Sequence, residues 1–427
     1  MGQDIFPVII SLGGESRRFS PDFQSASEHA PAWKHTLLKA HGQAIVSCCC
    51  QQNDQPRRLS VKYHSKSDSF FLAKFPETGH QHDPDCQYYS PDPSSSGIAA
   101  YQPGVVEELP NGNLKIKLKV GLQGRGAADD DKTPPRAPTK SKPSPNRRRG
   151  KPAVTLLGLL HLIWTAAGFN RWSPSMACRR NLSLVMFHLA KAASKIEAGR
   201  VPLASALLLA THQADSDQAE YNKACAVEAS KNRVRIVAIA PLAKHKDDYE
   251  DVVERPPIQG FNGFPYLAID DALWSNARKR FESACSAWRD GARVMAILQL
   301  DVPKAQRNGQ FLSEVIDIAL MRVSDDWIPV DSGYEDQAAG ALVAQHRRFE
   351  KPLRFDSDAD AVFPDFWLQD IGRDFPMEVW GMLTPEYLER KAEKIMHYDT
   401  TYGPQPEGWW GWNAAAEEPI PTLPQKP

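Results

Sequence analysis

Two acidic residues in the last part of the chain have the spacing of a metal-dependent hydrolytic site. Asp365 follows Pro364 in an apolar segment, and Glu378 lies 13 positions later in a second apolar segment. Strand alternation puts Asp365 and Glu378 on one face of two adjacent antiparallel strands. Paired carboxylates of this kind suit Mg²⁺ or Mn²⁺, and a bound divalent ion can activate water against a phosphodiester. We therefore predict that Asp365 and Glu378 bind a metal ion for phosphodiester hydrolysis.

Further charged residues flank this pair. Glu335 lies in the first turn of a helix predicted over 334–349. A basic helix predicted over 384–398 carries Lys391 and Lys394, cations that suit a divalent metal ion held against a phosphate. Arg390 of the same helix is predicted to contact nucleic acid.

A structural interpretation of the same residues is also possible. Asp365 can cap a turn, and Glu378 can form a structural salt bridge with Arg390 or Lys391. The dipeptide Pro-Asp is a weak signal, because it also occurs at 21–22, 84–85 and 91–92. The argument for a site therefore depends on the elements around Asp365.

A second group of candidate ligands lies near the start of the chain. Three adjacent cysteines precede a predicted strand pair, and the segment GHQHDPDC follows it. The predicted ligands of a structural Zn²⁺ are Cys48, Cys50, His82 and Cys86, with Cys49 and His80 as alternates. A β-hairpin between the two segments would bring these ligands together. A buried apolar cysteine patch beside a histidine-bearing loop is the alternative.

Composition limits the class of protein. With 427 residues, 42% of them hydrophobic and 24% charged, the chain is expected to be globular, with more than one domain. Its net charge of -1 means that nucleic-acid contacts must come from local basic patches. No glycine-rich phosphate loop is present, which argues against ATP-driven or dinucleotide chemistry.

The start of the chain and its apolar runs indicate a cytoplasmic protein. The first residues, MGQDIFPVIISLGG, lack the basic region of a secretory signal. In a reducing compartment, clustered cysteines indicate a metal site rather than disulfides. The longest apolar run, over 154–169, is shorter than the roughly 20 residues of a membrane-spanning helix. No membrane contact is expected.

The elements that position these groups divide the chain into five regions. Residues 1–120 are predicted to be a β-rich module with strands near 5–10, 44–50, 59–63, 69–75 and 114–120. Residues 121–153 are expected to be a disordered basic linker, in which Arg147, Arg148 and Arg149 contact phosphates. The remaining predicted regions are a helical one over 154–230, an α/β one over 231–402 with its core at 331–402, and a Pro-rich tail over 403–427.

The helical region is predicted to be winged-helix-like. Apolar residues recur at helical spacing over 154–169, 174–198 and 203–210. Arg179 and Arg180 lie opposite the apolar face of the second helix and are predicted to bind nucleic acid. A helical bundle without DNA-binding function is the alternative.

The α/β region and the tail complete the chain. Strands are predicted over 233–239, 292–300 and 311–323, with a helix over 270–288. The tail is expected to be disordered. Its Trp409, Trp410 and Trp412 are expected to dock a peptide, to stack on bases, or to pack on the fold.

The order helix–strand–strand–strand–helix with Glu335, Asp365 and Glu378 resembles the PD-(D/E)XK, restriction-endonuclease-like nucleases. The resemblance implies hydrolysis of DNA with Mg²⁺ at Asp365 and Glu378, and Glu335 as the acidic residue of the first helix. Trp380 stands where the lysine of these nucleases is expected. Some of them carry the lysine on the following helix, which implies Lys391 or Lys394.

A longer resemblance covers nearly the whole chain. The segments LAKFPETGHQHDPDC, LLGLLHLIWTAAGFNRW, FEKPLRF and VFPDFWL resemble an uncharacterised bacterial family, domain of unknown function 1173, found on integrative and conjugative elements. The resemblance implies a mobile-element setting. The layout, a cysteine-rich module ahead of a nuclease domain, is also similar to that of a family of bacterial competence proteins.

The sequence thus predicts an α+β multidomain protein with a zinc-binding β-rich module, a helical middle and a restriction-endonuclease-like α/β domain that hydrolyses DNA. A catalytically inactive nucleic-acid-binding or scaffolding protein with the same fold is the rival hypothesis. A structural protein whose zinc module binds another protein is a third.

Overall fold

A computed structural model describes residues 4–50, 57–64, 69–75, 78–83, 86–89, 105–109, 112–124, 153–250, 253–353, 363–371 and 375–426. The chain forms two compact units, one of Met1–Ala99 with Val106–Lys115 and one of Ala100–Val105 with Ile116–Pro427. The predicted linker residues Arg147, Arg148 and Arg149 lie outside the described residues.

An antiparallel sheet organises the first unit. Its strands are β1 (Val8–Leu12), β2 (Glu15–Phe19), β3 (Ile45–Cys48), β4 (Arg57–His64) and β5 (Ser69–Lys74), in the order β2-β1-β3-β4-β5. Helices α1 (Pro21–Ser25) and α2 (Ala30–Ala40) connect β2 to β3, and the short strands β6 (Val106–Glu108) and β7 (Leu114–Ile116) come later in the chain. Val8, Ile10 and Val46 share a buried core with Leu37 of α2. The β-rich character agrees with the prediction, whereas the sequence pattern does not predict α2 or β2.

A larger mixed sheet lies in the second unit. Its strands are β11 (Leu207–Leu209), β12 (Ile236–Pro241), β13 (Tyr266–Ala268), β14 (Arg293–Leu300) and β16 (Phe311–Val323), in the order β11-β12-β14-β16-β13, with β15 (Lys304–Ala305) paired to β16. The helices that pack on it are α3 (Leu156–Ala166), α4 (Leu182–Ala193), α5 (Asp217–Asn232), α6 (Asp271–Arg280) and α7 (Glu282–Arg289). Strands β9 (Ile196–Ala198) and β10 (Val201–Pro202) form a hairpin. β12 is buried along its whole length, as expected of a strand covered on both faces.

The longest apolar run of the sequence forms α3. Thr155 caps the helix by accepting a hydrogen bond from the Gly158 N–H at 3.0 Å. Leu159 and Ile163 are fully buried, and the Trp164 indole donates to the Trp327 carbonyl at 3.1 Å. In the described part of the chain, no helix combines the length and the apolarity that crossing a membrane requires.

The middle of the chain differs from its prediction in two places. No α-helix forms over 203–210, because 203–206 make a single 3₁₀ turn and 207–209 enter the large sheet as β11. The helix predicted over 174–198 begins only at Leu182, so Arg179 and Arg180 precede α4 rather than lie on its face. The helix predicted over 270–288 is interrupted at Phe281, whose backbone φ of -118° and ψ of 42° is not helical, and this separates α6 from α7.

A smaller sheet carries the predicted acidic residues. Its strands are β8 (Arg171–Trp172), β17 (Phe349–Glu350), β18 (Phe366–Leu368), β19 (Phe375–Val379) and β20 (Trp410–Trp412), in the order β20-β19-β18-β17-β8. β17, β18 and β19 are antiparallel neighbours, whereas β20 runs parallel to β19. Helix α8 (Gly333–Ala344) precedes β17, and α9 (Pro385–Tyr402) connects β19 to β20.

The two faces of this sheet pack into different cores. Phe366, Met377 and Val379 share a core with Leu342 of α8. On the opposite face, Trp380 packs with Tyr398 of α9 and with Trp409. Since β19 alternates, Glu378 projects to the α9 face with Trp380. Phe366 pairs with Met377, and continuing this register by one residue places Asp365 opposite Glu378.

The tail is ordered, so the expectation of disorder is wrong. Trp410 and Trp412 belong to β20, and both are buried with Leu423 in the α8-side core. Trp409 is 2% exposed in the α9-side core. Burial of three indoles outweighs the loop tendency of the surrounding prolines, and the predicted alternative, packing on the fold, describes these tryptophans.

Candidate functional site

Glu378 lies buried beneath α9. It is 2% exposed, and its Oε1 accepts hydrogen bonds from Lys394 Nζ at 2.5 Å and from the Tyr398 hydroxyl at 2.7 Å. The two donors are four residues apart, so they lie on one face of α9. Burial, together with the Glu378 charge, raises the pKa of Tyr398. The Tyr398 hydroxyl therefore stays protonated and donates a hydrogen bond to Glu378. These donors replace the hydration that the carboxylate loses on burial.

Asp365 lies on the same face, just before β18. Its Oδ2 accepts a hydrogen bond from the Val379 N–H at 2.8 Å, and its Oδ1 is 3.8 Å from Lys351 Nζ. Burial and the neighbouring Glu378 charge raise the pKa of Asp365 to about 7, although Lys351 and Lys394 act in the opposite direction. Asp365 and Glu378 are therefore close enough to repel each other when both are ionised.

Glu335 is held by the cap of α8. Ser332 Oγ accepts from the Glu335 N–H at 3.1 Å, and Glu335 Oε2 accepts from the Asp331 N–H at 3.0 Å, an arrangement similar to a capping box. The same Oε2 accepts from Lys351 Nζ at 2.6 Å. Burial raises the pKa of Glu335 to about 7, against the opposing effect of Lys351. Glu335 thus joins the acidic group through Lys351.

Lys351 is a residue that the sequence does not single out. Its side chain is 5% exposed, and its Nζ lies 3.2 Å from Asp331, 2.6 Å from Glu335 and 3.8 Å from Asp365. Burial alone would lower the pKa of Lys351, but the carboxylates, Glu335 first among them, outweigh burial and raise it. Lys351 follows β17 directly and lies between Glu335 and Asp365 in the sequence. This position is the signal from which its place in the site could have been predicted.

The predicted basic residues of α9 take different directions. Lys394 contacts Glu378 and also donates to the Phe363 carbonyl at 3.0 Å. Lys391 donates instead to Asn413 Oδ1 at 2.9 Å, its Nζ lies 5.2 Å from the Trp380 ring centre, and burial lowers its pKa. Arg390 is exposed. Of the two candidate lysines, the structure brings Lys394 to the carboxylates and directs Lys391 elsewhere.

The guanidinium of Arg180 is hydrogen-bonded to the backbone of neighbouring segments. Its guanidinium donates to the carbonyls of Asp326 at 2.7 Å, of Phe169 at 3.3 Å and of Arg171. Burial lowers the pKa of Arg180 to about 9. These contacts disagree with the prediction that Arg180 meets nucleic acid, because its donors already serve backbone carbonyls. Arg179 is exposed in the preceding turn, and its contact with nucleic acid stays a prediction.

The charges of this acidic group leave room for a divalent cation. Its carboxylates belong to Asp331, Glu335, Asp365 and Glu378, and its cations to Lys351 and Lys394. With every group ionised, the carboxylates exceed the cations by two charges. Mg²⁺ in proteins is commonly bound through one or two carboxylates together with water. Asp365 and Glu378 fit this role, whereas the Lys351 and backbone contacts of Glu335 make it a supporting residue.

A separate candidate metal centre lies in the first unit. The ligand atoms of Cys48, Cys50, His82 and Cys86 all lie within 4.8 Å of one another, and all four residues are buried. The Cys48 and Cys86 sulfurs are 3.7 Å apart, and His82 Nδ1 is 3.5 Å from Cys50 Sγ and 3.7 Å from Cys86 Sγ. Tetrahedral Zn²⁺ sets neighbouring ligands about 3.8 Å (S–S) and about 3.6 Å (S–N) apart. The predicted quartet is therefore brought together and could bind a metal ion such as zinc.

The local fold explains why these four residues meet. Cys48 ends β3, and the antiparallel pair β4–β5 returns the chain so that His82 and Cys86 reach it, as the predicted hairpin requires. The Asp83 N–H donates to Cys50 Sγ at 3.3 Å. Hydrogen bonds from Cys48, and then from Cys86, lower the pKa of the Cys50 thiol.

The ring of His82 is oriented as a metal ligand would be. Its Nδ1 faces the sulfurs, while its buried Nε2 has no hydrogen-bond partner among the described residues. The alternate Cys49 is half-buried and outside the group, and the side chain of His80 lies outside the described structure. The alternates are thus not needed to complete the four ligands.

Comparison with known proteins identifies a family. A family model described as "Protein of unknown function (DUF1173)" matches residues 22–415. No curated protein and no solved structure matches the chain significantly.

Proposed function

The chain belongs to the DUF1173 family of proteins of unknown function, and from its own residues we propose that it hydrolyses DNA phosphodiester bonds with a divalent metal ion. The observation that carries the proposal is the placement of Asp365 opposite Glu378, with Lys394 of the next helix on Glu378. The order α8–β17–β18–β19–α9 supports it, because it is the order that the resemblance to restriction-endonuclease-like nucleases implies.

In the proposed reaction Asp365 and Glu378 hold Mg²⁺ or Mn²⁺. When bound, the metal ion lowers the pKa of water and neutralises charge on the phosphate. Lys394 orients the attacking water and faces the phosphate, while Tyr398 fixes the Glu378 carboxylate through its hydroxyl. The water oxygen would attack phosphorus as the bond from phosphorus to the leaving sugar oxygen breaks, the water proton passing to solvent and the leaving oxygen taking a proton from solvent.

Lys351 and Glu335 act as positioning residues in this proposal. Lys351 lies between Glu335 and Asp365 and restrains Oδ1 of Asp365, while the Val379 N–H binds Oδ2. Glu335 in turn anchors Lys351 to the first turn of α8. A restrained pair of metal ligands lowers the reorganisation needed when a metal ion and a phosphate bind.

A non-catalytic nucleic-acid-binding or scaffolding protein is the second candidate. One observation favours it: Lys394 lies 2.5 Å from Glu378, so an ion pair already compensates part of the acidic charge. A site of this kind can be structurally complete without a metal ion. The mobile-element setting implied by the resemblance applies equally to both candidates and stays a prediction.

The two candidates are distinguished by incubating the full chain with single- and double-stranded DNA and Mg²⁺ or Mn²⁺. We expect metal-dependent cleavage that falls at least about 100-fold in Asp365→Asn and in Glu378→Gln. Glu393→Gln, on the exposed surface of α9, is the matched control. Cleavage that survives both substitutions would refute the site, and DNA binding without cleavage by the wild type would favour the second candidate.

For the first unit we propose that Cys48, Cys50, His82 and Cys86 hold a structural Zn²⁺. The support is the near-tetrahedral spacing of the four ligand atoms and their burial. Closed four-ligand sites of cysteine and histidine contribute to folding rather than to catalysis. Elemental analysis of the purified protein tests this, and one equivalent of zinc per chain is expected.

A further inference from the structure

A cavity lies beside the acidic site, between α9, the end of β19 and the C-terminal segment. Its volume is about 340 Å³. Lys391, Ile395 and Asp399 line it from α9 at four-residue spacing, which is one face of the helix. Lys394 and Tyr398, on the adjacent face, contact Glu378. One helix thus lines both the cavity and the acidic site.

The inner wall of the cavity is aromatic. Trp380 and Trp409 line it, and they are 5% and 2% exposed. Gly411 lies in β20 directly beside Glu378 in the parallel register of β19 and β20. A Cβ atom at Gly411 would clash with Gln405 Nε2 and would lie 2.7 Å from the Trp409 ring, so a larger residue would displace both side chains. Tyr398 connects cavity and site, since its hydroxyl contacts Glu378 and its ring centre is 5.4 Å from that of Trp409.

The outer part of the cavity is polar, with more negative than positive charge. Lys391 Nζ donates to Asn413 Oδ1 at 2.9 Å, and Asn413 Nδ2 donates to Glu418 Oε1 at 3.3 Å. Asp399 accepts from the Trp409 indole N–H at 2.8 Å. Two carboxylates against one ammonium disfavour a phosphate in the cavity itself. The same groups suit a neutral planar ring whose edge carries an amine and hydrogen-bond acceptors.

We propose that this cavity binds one unpaired nucleobase of the substrate, beside the phosphate at the metal ion that Asp365 and Glu378 would hold. The position of that phosphate rests on the proposed function, whereas binding of the base requires no cleavage. The rings of Trp380 and Trp409 are almost fully covered, so they give the base an apolar wall at their edges rather than a stacking face. Carboxylates accept from the exocyclic amine of cytosine, and amide side chains pair with adenine. Asp399, Glu418 and Asn413 therefore favour adenine and cytosine over thymine.

This inference defines the substrate as single-stranded DNA or an unpaired strand end. A base inside an intact duplex is stacked and paired, and it can enter a pocket only after it is extruded. We therefore expect an oligonucleotide with an unpaired segment to be cut at least tenfold faster than the same sequence as a blunt duplex.

The direct test is ligand-observed NMR of the metal-free full chain with adenosine, cytidine, thymidine and inorganic phosphate. Adenosine and cytidine should bind saturably and more tightly than thymidine, and phosphate should not compete with them. Asn413→Ala and, independently, Lys391→Ala should weaken adenosine at least tenfold, while Glu393→Ala should not change it. Thermal melting identifies variants that fold like the wild type, and at least one of the two is needed for the comparison.

Several results would overturn the inference. They are no saturable nucleoside binding, binding unchanged in both folded variants, or displacement of adenosine by phosphate, which would indicate an anion site. Failure of the proposed function is a different result. Base binding without cleavage would support the base-binding cavity and contradict the proposed nuclease activity. Cleavage without base binding would support the nuclease activity and contradict the base-binding cavity.

Discussion

Nζ of Lys394 lies 2.5 Å from Oε1 of Glu378, although the two residues are 16 positions apart in the sequence. Trp380, where the resemblance to restriction-endonuclease-like nucleases places a lysine, packs with Tyr398 and Trp409 instead. The cation beside the carboxylate therefore comes from α9 and not from the strand that carries Glu378.

Substitution of Lys394 tests whether this cation takes part in a reaction. We expect Lys394→Met to lower kcat for metal-dependent DNA cleavage by about 100-fold, because the attacking water loses its positioning group. KM should change much less, since the metal ion that Asp365 and Glu378 would hold still binds the phosphate. Steady-state kinetics measures both, with Glu393→Gln as the control on the exposed surface of α9. A Lys394→Met protein with the wild-type kcat would show that the contact is only structural.

Removal of one cysteine ligand tests the metal centre. Cys86→Ser should lose bound zinc and lower the melting temperature of the first unit, because the remaining ligands no longer close the site. Cys49→Ser is the matched control, since Cys49 adjoins two ligands but stays outside the group. Elemental analysis and calorimetry measure the two effects. Equal zinc content in the two variants would contradict the assignment of Cys86.

The ion pair between Arg347 and Asp370 predicts how stability depends on pH. Arg347 is 3% exposed and donates to Asp370 through Nε at 2.9 Å and Nη2 at 2.7 Å. Burial alone would raise the pKa of Asp370, but hydrogen bonds from Arg347 and from the Arg348 N–H outweigh it and lower the pKa. A lowered pKa means that the pair stabilises the fold above the unfolded value of 3.8 and that this stabilisation is lost as pH falls through the folded pKa.

Asp370→Asn should therefore reduce the free energy of unfolding by about 2 kcal/mol at pH 7. The difference from the wild type should shrink as the pH falls below about 4, where the wild-type carboxylate also becomes protonated. Denaturant unfolding at pH 7, 5 and 3 measures this. Asp325→Asn, at a side chain that is fully exposed, is the control and should leave the free energy of unfolding close to that of the wild type. A difference between Asp370→Asn and the wild type that grows at low pH would contradict the assigned sign.

The Arg180 contacts predict a stability defect rather than a DNA-binding defect. Arg180→Gln should lower the free energy of unfolding by about 3 kcal/mol, because several buried carbonyls lose a charged donor. Arg179→Gln, one residue earlier and exposed, should change it by less than about 0.5 kcal/mol. Denaturant unfolding and DNA-affinity measurements on the two variants are compared. An Arg180→Gln protein of wild-type stability with impaired DNA binding would instead support the nucleic-acid role.

Periodicity and local chemistry were enough to predict the elements in which the two agree. The alternation of apolar residues places Asp365 and Glu378 on one face, and the strand over 311–323 has the predicted bounds. The grouping of Cys48, Cys50, His82 and Cys86 was also predictable, because the hairpin between its two halves is local and cysteine and histidine are the ligands that zinc prefers.

Which charged residues meet depends on packing between distant elements. Lys351 reaches Glu335 and Asp365 through packing of β17 beside β18, and no local pattern encodes that contact. Lys391 and Lys394 have the same residue type on the same helix, yet packing of α9 brings one to Asn413 and the other to Glu378. The composition of the Pro-rich tail predicts disorder. The tail is ordered because its three indoles are buried against elements that are distant in the sequence. Contacts of this kind depend on long-range burial and charge compensation, which spacing along the chain does not record.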